Sequence, residues 1–260
     1  MKGSNYGKSR KTGDYYGKVF LSNNCGYYQI TLANSTDRMR AVFLQTNTVL
    51  TVDARQVDIG SVVDPYYPTV CGVGYLGEYS TLDKDGNTTK EYTAWRSMLD
   101  RCYGNKELEA YKYCIVSEEF HNASYFKDWY NKQVGAHRED FHIDKDILSG
   151  DCKVYAEDTC VLVPQEVNSF FVKHNNKKVK SNLPTGVMFN PKNTSRPFTA
   201  MYSGHGGEKH MSYHDNEWSA FIAYKQAKEN RAKELAEKWR GQIDNRVYEK
   251  LINYKVLLTD

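Results

Sequence analysis

The 260-residue chain has no long apolar run. No stretch approaches the roughly 18 consecutive apolar residues that span a bilayer, and the basic N-terminus is not followed by an apolar core segment. A membrane-spanning or exported protein is therefore not expected, and the sequence reads as intracellular and cytoplasmic. Cys-x-x-Cys pairs are missing too. The six cysteines (Cys25, Cys71, Cys102, Cys114, Cys152, Cys160) are scattered without a dense framework, as reduced thiols are. A zinc site built from the last four would need Cys-x11-Cys and Cys-x7-Cys spacings, which match no usual template. Buried free thiols are the expectation. Strong charge of one sign is also absent: a net charge of +3 is too mild to demand a polyanionic partner.

What is present is an ordinary globular composition, 40% hydrophobic and 26% charged, long enough for two or three small cores. The charge is unevenly placed. From Phe171 to Met211 seven basic residues (Lys173, Lys177, Lys178, Lys180, Lys192, Arg196, Lys209) face one acid, Glu208. The first eighteen residues carry Lys2, Lys8, Arg10, Lys11 and Lys18 against Asp14 alone. Two basic segments on a nearly neutral chain suit phosphate contact, because each neutralised phosphate releases counterions. The plainer alternative is a solvated loop and a loose tail.

Texture divides the chain. Residues 1–18, rich in Gly, Ser, Lys and Tyr, read as a flexible basic tail. Residues 19–74 contain β-rich runs (YYQITLA, RAVFLQT, TVLTVDA, GSVVDPYYP) separated by turn formers, the pattern of a small antiparallel sheet or barrel. GVGYLGEY, with three glycines, reads as a linker. In EYTAWRSMLDRCY the residues Tyr92, Trp95, Met98, Leu99 and Cys102 fall at helical spacing, and SYFKDWYNKQV repeats the pattern with Phe126, Trp129 and Tyr130. Both are expected to be amphipathic helices whose aromatics are core.

The segment HIDKDILSGDCKVYAEDTCVLVPQEVN, His142 to Asn168, holds a histidine, several acids, a lysine and a closing asparagine. FHID reads as a strand, SGD as a turn, TCVLVP as a second strand, and QEVNSFF as a helix with proline just before its first turn. Strand, turn, strand, helix is the ββα-metal order. In such a unit an acid on the first strand and an amide or imidazole on the helix meet over a divalent ion, while the neighbouring residue faces the attacking water.

With the preceding WRSMLDRCY helix, this segment resembles the HNH endonucleases, particularly the phage homing type. The resemblance implies that Asp144 is the metal-binding acid, that Asn168 is the closing ligand on the helix, and that His142 is the histidine two residues before the acid. It implies Mg²⁺ or Mn²⁺ as cofactor. Lys145 stands where that family carries its general-base histidine. It would act as a base of depressed pKa, hold phosphate while His142 activates water, or mark a site that no longer cuts.

The third region, LPTGVMFNPKNTSRPFTAMYSGHGGEKHMSYHDNEWSAFIAYKQAKENRAKELAEKW, divides into strands GVMFN, PFTAMYS and EKHMSY and a long helix capped by Asp215 or Asn216. NRVYEKLINYKV reads as a last helix packed on the long one. A three-stranded antiparallel sheet backed by one helix resembles the APETALA-type (ethylene-response-factor-like) DNA-binding domain. That resemblance implies a sheet face entering the major groove, with Lys192, Arg196, Thr199, Tyr202, Lys209 and His210 as outward candidates and Lys178 and Lys180 in the basic linker before it. Phe198 replaces that family's strand tryptophan, and its glycine before the helix is missing.

The expected fold class is α+β: a small N-terminal β domain (19–74), an HNH-like ββα-metal domain with helices (75–180), and a three-stranded sheet with a long helix (181–260). Two functions of different class follow. One is a metal-dependent nuclease that cleaves or nicks double-stranded DNA through His142, Asp144 and Lys145. The other is a catalytically inactive DNA-binding or host-takeover protein that keeps the scaffold.

Overall fold

The structure, a computed structural model, describes residues 11–104, 109–150, 152–172, 183–207 and 209–258. Lys178, Lys180 and the turn residue Asp151 lie outside them. The chain is mixed α and β with several small sheets, and it divides into two compact units, Met1–Asp128 and Trp129–Asp260. The division falls inside the stretch 75–180 that the sequence reads as one domain.

In the first unit, β1 (Val19–Leu21), β2 (Tyr27–Ser35), β3 (Arg38–Phe43) and β4 (Val49–Val52) form an antiparallel meander. Alternation decides which side is core: Tyr28, Ile30, Met39, Ala41, Phe43 and Val52 are buried, with Tyr28 opposite Phe43 and Ile30 opposite Ala41. Three of the four expected β runs are strands. The fourth, GSVVDPYYP, is not. A short helix, α1 (Ala54–Asp58), follows β4 and is capped by Asp53, whose side chain accepts from Gln56 N at 2.8 Å. The chain after α1 is tied to the sheet by Ser22 Oγ donating to Val62 O at 2.7 Å and by buried Asp64, which accepts from Thr46 and from Tyr66 N at 2.9 Å. These side-chain bonds stand in for a ladder.

GVGYLGEY is packed rather than free. Val70 and Gly74 form a bridge, Tyr75 bridges Asn122, and a Cβ on Gly74 would run into Leu99 and come within 2.9 Å of the Trp95 ring. Glycine is there because α2 (Lys90–Tyr103) lies against its backbone. That helix buries Trp95, Met98 and Leu99, as its spacing predicts, and Trp95 Nε1 donates to Phe120 O at 2.7 Å. β5 (Ile115–Val116), α3 (Glu118–His121) and α4 (Ala123–Lys132) follow, and the boundary between the units falls within α4.

In the second unit, β6 (Phe141–Asp144) follows the end of α4. Next come α5 (Asp146–Ser149), β7 (Val154–Tyr155), β8 (Val161–Pro164) and α6 (Gln165–Phe171). β6 and β8 pair antiparallel, with Asp144 opposite Val161 and Phe141 opposite Pro164, and α6 packs on both. The two paired strands and the helix come in the expected order, but α5, ahead of the turn read at SGD, and the short β7 stand between the strands.

β9 (Val187–Phe189), β10 (Phe198–Ser203) and β11 (Lys209–His214) form an antiparallel sheet with β10 in the middle, covered by α7 (Glu217–Lys238). Asn216 caps α7, accepting from Ser219 N at 2.9 Å. α8 (Asn245–Ile252) packs on α7 through Val247 and Leu251. Trp218, near the start of α7, is exposed.

The two halves of this unit are sewn together. The Arg138 guanidinium lies 5.0 Å from the ring centres of both Phe141 and Trp239, and Trp239 Nε1 donates to Glu166 at 2.6 Å. Lys238 also donates to Glu166, and Arg231 pairs with it at 3.7 Å. α6 is thereby fastened to the C-terminal half of α7.

Candidate functional site

Asp144 ends β6, half-buried. Its Oδ1 accepts from the backbone N–H groups of Asp146 at 2.8 Å and Ile147 at 2.7 Å, so the carboxylate caps the first turn of α5. Burial pushes its pKa up. The Ile147 N–H pulls it down, the Asp146 charge pushes it up again, and the Asp146 N–H and Lys145 oppose the rise without cancelling it.

Lys145 is buried, only 3% exposed. Its ammonium donates to Asp146, approaches Cys152 O at 3.5 Å, and lies 5.7 Å from the centre of the Tyr155 ring. Asp146, the other acid of the motif, is thus spoken for. Below them sits Cys160, whose thiol burial pushes up to about 12. His142 is exposed and pairs in register with Val163, two residues from Asp144 and so on the same side of the strand. Asn168 lies half-buried on α6, which begins beyond Pro164, at the end of β8 away from Asp144.

These residues do not fit a divalent ion. One oxygen of the acid already holds two backbone N–H groups, and a buried ammonium beside it repels a second cation while holding Asp146. Among the described residues no trio of His, Cys, Asp and Glu gathers as a metal site, including the four cysteines considered for zinc.

No protein-family model, curated protein or solved structure matches the chain.

The second candidate surface is the β9–β10–β11 sheet. Lys192 and Arg196 are exposed in the β9–β10 turn, which two asparagines shape: Asn190 Oδ1 accepts from Lys192 N at 3.1 Å and Asn193 Oδ1 from Arg196 N at 3.2 Å. Lys209 is exposed on β11 opposite Ser203. Tyr202 is not outward. It is 8% exposed and shares the helix-covered face with Ala200. Thr199 and Tyr202 are three apart on one strand, and Lys209 and His210 are adjacent, so neither pair can share a face. The sequence reading merged two faces into one. His210, opposite Tyr202, is on the helix side and stays exposed because β11 is an edge strand. Thr199 does lie on the open face but is 8% exposed beneath its neighbours.

Sequence reasoning missed the residues that dominate that open face. Alternation through FTAMYS and KHMSYH puts Met201 and Met211 directly opposite each other, with Met188 and Tyr213 flanking Thr199. The signal was in the period of two.

Proposed function

We propose that this protein is a DNA-binding protein whose strand–strand–helix segment is a structural frame and not a hydrolytic centre. The observation that carries the second half is Lys145. At the position where the resembled nucleases carry a general base, this chain has an ammonium that is buried, paired with Asp146 and turned away from solvent. A base has to reach water, and this group does not. The first half is supported by charge placement: Lys192, Arg196 and Lys209 stand exposed on a segment, residues 183–214, whose one acid is Glu208.

The test is supercoiled plasmid with Mg²⁺ or Mn²⁺, alongside a binding assay on the same DNA. Binding that weakens steeply between about 50 and about 200 mM salt, with no nicking, is expected. Nicking by wild type that Asp144→Ala abolishes would restore the nuclease reading. Absence of DNA affinity at low salt would remove both.

A further inference from the structure

We propose that the open face of the β9–β10–β11 sheet binds the unstacked bases of single-stranded DNA. This rests on the reading of the protein as DNA-binding and specifies which form of DNA the sheet accepts.

The face is built by register. Met201 faces Met211 across the β10–β11 ladder, while Met188, Thr199 and Tyr213 form the next row across all three strands. Met188 is 53% exposed, Met201 39%, Met211 57% and Tyr213 45%, and α7 packs on the opposite face of the sheet. Four large, soft side chains thus surround the nearly buried Thr199 on one surface.

Duplex reading in the major groove needs fixed donors and acceptors, above all Arg, Lys, Asn or Gln set against base edges. The centre of this face offers none. Its thioethers are weak acceptors, and the Tyr213 hydroxyl is turned toward Met211 Sδ at 3.7 Å. What thioethers and a phenol ring do offer is polarisable surface for an aromatic plane. In a duplex the faces of the bases are stacked on one another; in a single strand they are available.

Charge selects a nucleic acid over an apolar protein. Lys192 and Arg196 occupy the turn at one end of β10, and Lys209 lies at the other end, opposite Ser203. β10 spans six residues, on the order of 17–20 Å at strand spacing, so cations bracket a stacking platform of a few bases. A second copy of this chain placed face to face would bring both sets of cations, Lys192, Arg196 and Lys209, into one interface.

The experiment is fluorescence anisotropy with a labelled single strand of about 20 mixed-sequence nucleotides and the same sequence as a duplex. Wild type is compared with Tyr213→Ala and with the double variant Met201→Ser, Met211→Ser. All three positions are exposed, and the unfolding midpoint of each variant is measured to show that the fold is kept. The single strand is expected to bind more tightly than the duplex, and each variant to lose about tenfold or more on the single strand, the scale of one stacked base, with the midpoint unchanged. Variants that bind the single strand as wild type does would overturn the proposal and leave the DNA-binding reading standing. So would a duplex bound more tightly than the single strand. A wild-type dimer that the variants convert to monomer, with DNA affinity unaltered, would assign the face to self-association instead. No affinity for either form of DNA would defeat this proposal and the function it rests on together.

Discussion

At the scale of single residues, Asp144 has a structural task that can be separated from its charge. It caps α5 through one oxygen, which an asparagine would also supply, whereas an alanine would not. Its carboxyl is held above the ordinary value by burial first of all. For an acid whose folded pKa is raised, the favourable contribution is full below the unfolded pKa and is lost as pH rises through the folded one. Asp144→Asn should therefore match wild type in acid and become more stable than it at pH 7–8. Asp144→Ala should fall below Asp144→Asn by about 1 kcal/mol, the value of a cap, and denaturant melts across pH measure both differences. The sequence showed which residues crowd this motif but not their depth. Lys145 and Asp144 are adjacent letters in a strand-like run, and only the turn of α5 decides that the lysine goes inward.

At the scale of elements, many helices and strands were legible because their apolar periods are clean: α2, α4, α7, β2 to β4 and β9 to β11 stand where periodicity places them, whereas the three-residue β1 is too short to show a period. Two misreadings have physical causes. Glycines in GVGYLGEY signal a flexible linker, yet Gly74 is glycine because Trp95 and Leu99 leave no room for a Cβ. VVDPYYP has β-forming composition, but its polar groups are satisfied by Asp64, Ser22 and Thr46 side chains instead of a neighbouring strand. The tie between α6 and α7 left no periodic trace at all, since Glu166 meets residues more than sixty positions away. Burial opposes ionisation of Glu166, but the bonds from Lys238 and Trp239 and the charges of Lys238 and Arg231 outweigh it and hold its carboxyl below the usual value. A depressed carboxylate stabilises above its unfolded pKa, near 4.3, and loses that contribution as pH falls through the folded value. Glu166→Gln is therefore expected to cost on the order of 2 kcal/mol at pH 7 and progressively less below pH ~4, as read by thermal melts at several pH values.

At the scale of the whole chain, the contacts group 129–260 together, so the strand–strand–helix segment and the C-terminal sheet share one body where the sequence drew a boundary near 180. A change of composition marks that boundary, but a core is defined by what packs, and Phe141, Arg138, Glu166 and Trp239 pack across it. A fragment beginning at 183 would leave Trp239, 8% exposed in the intact chain, without its partners from β6 and α6. It should unfold at lower denaturant and less cooperatively than a fragment beginning at 129, as tryptophan fluorescence during urea titration would record. The Glu166–Trp239 tie has a consequence for inheritance as well. A recombination point between the two halves would separate Lys238 and Trp239 from Arg138, Phe141 and Glu166. A helix brought in from elsewhere would need a tryptophan and a lysine at the same turns to meet Glu166 again.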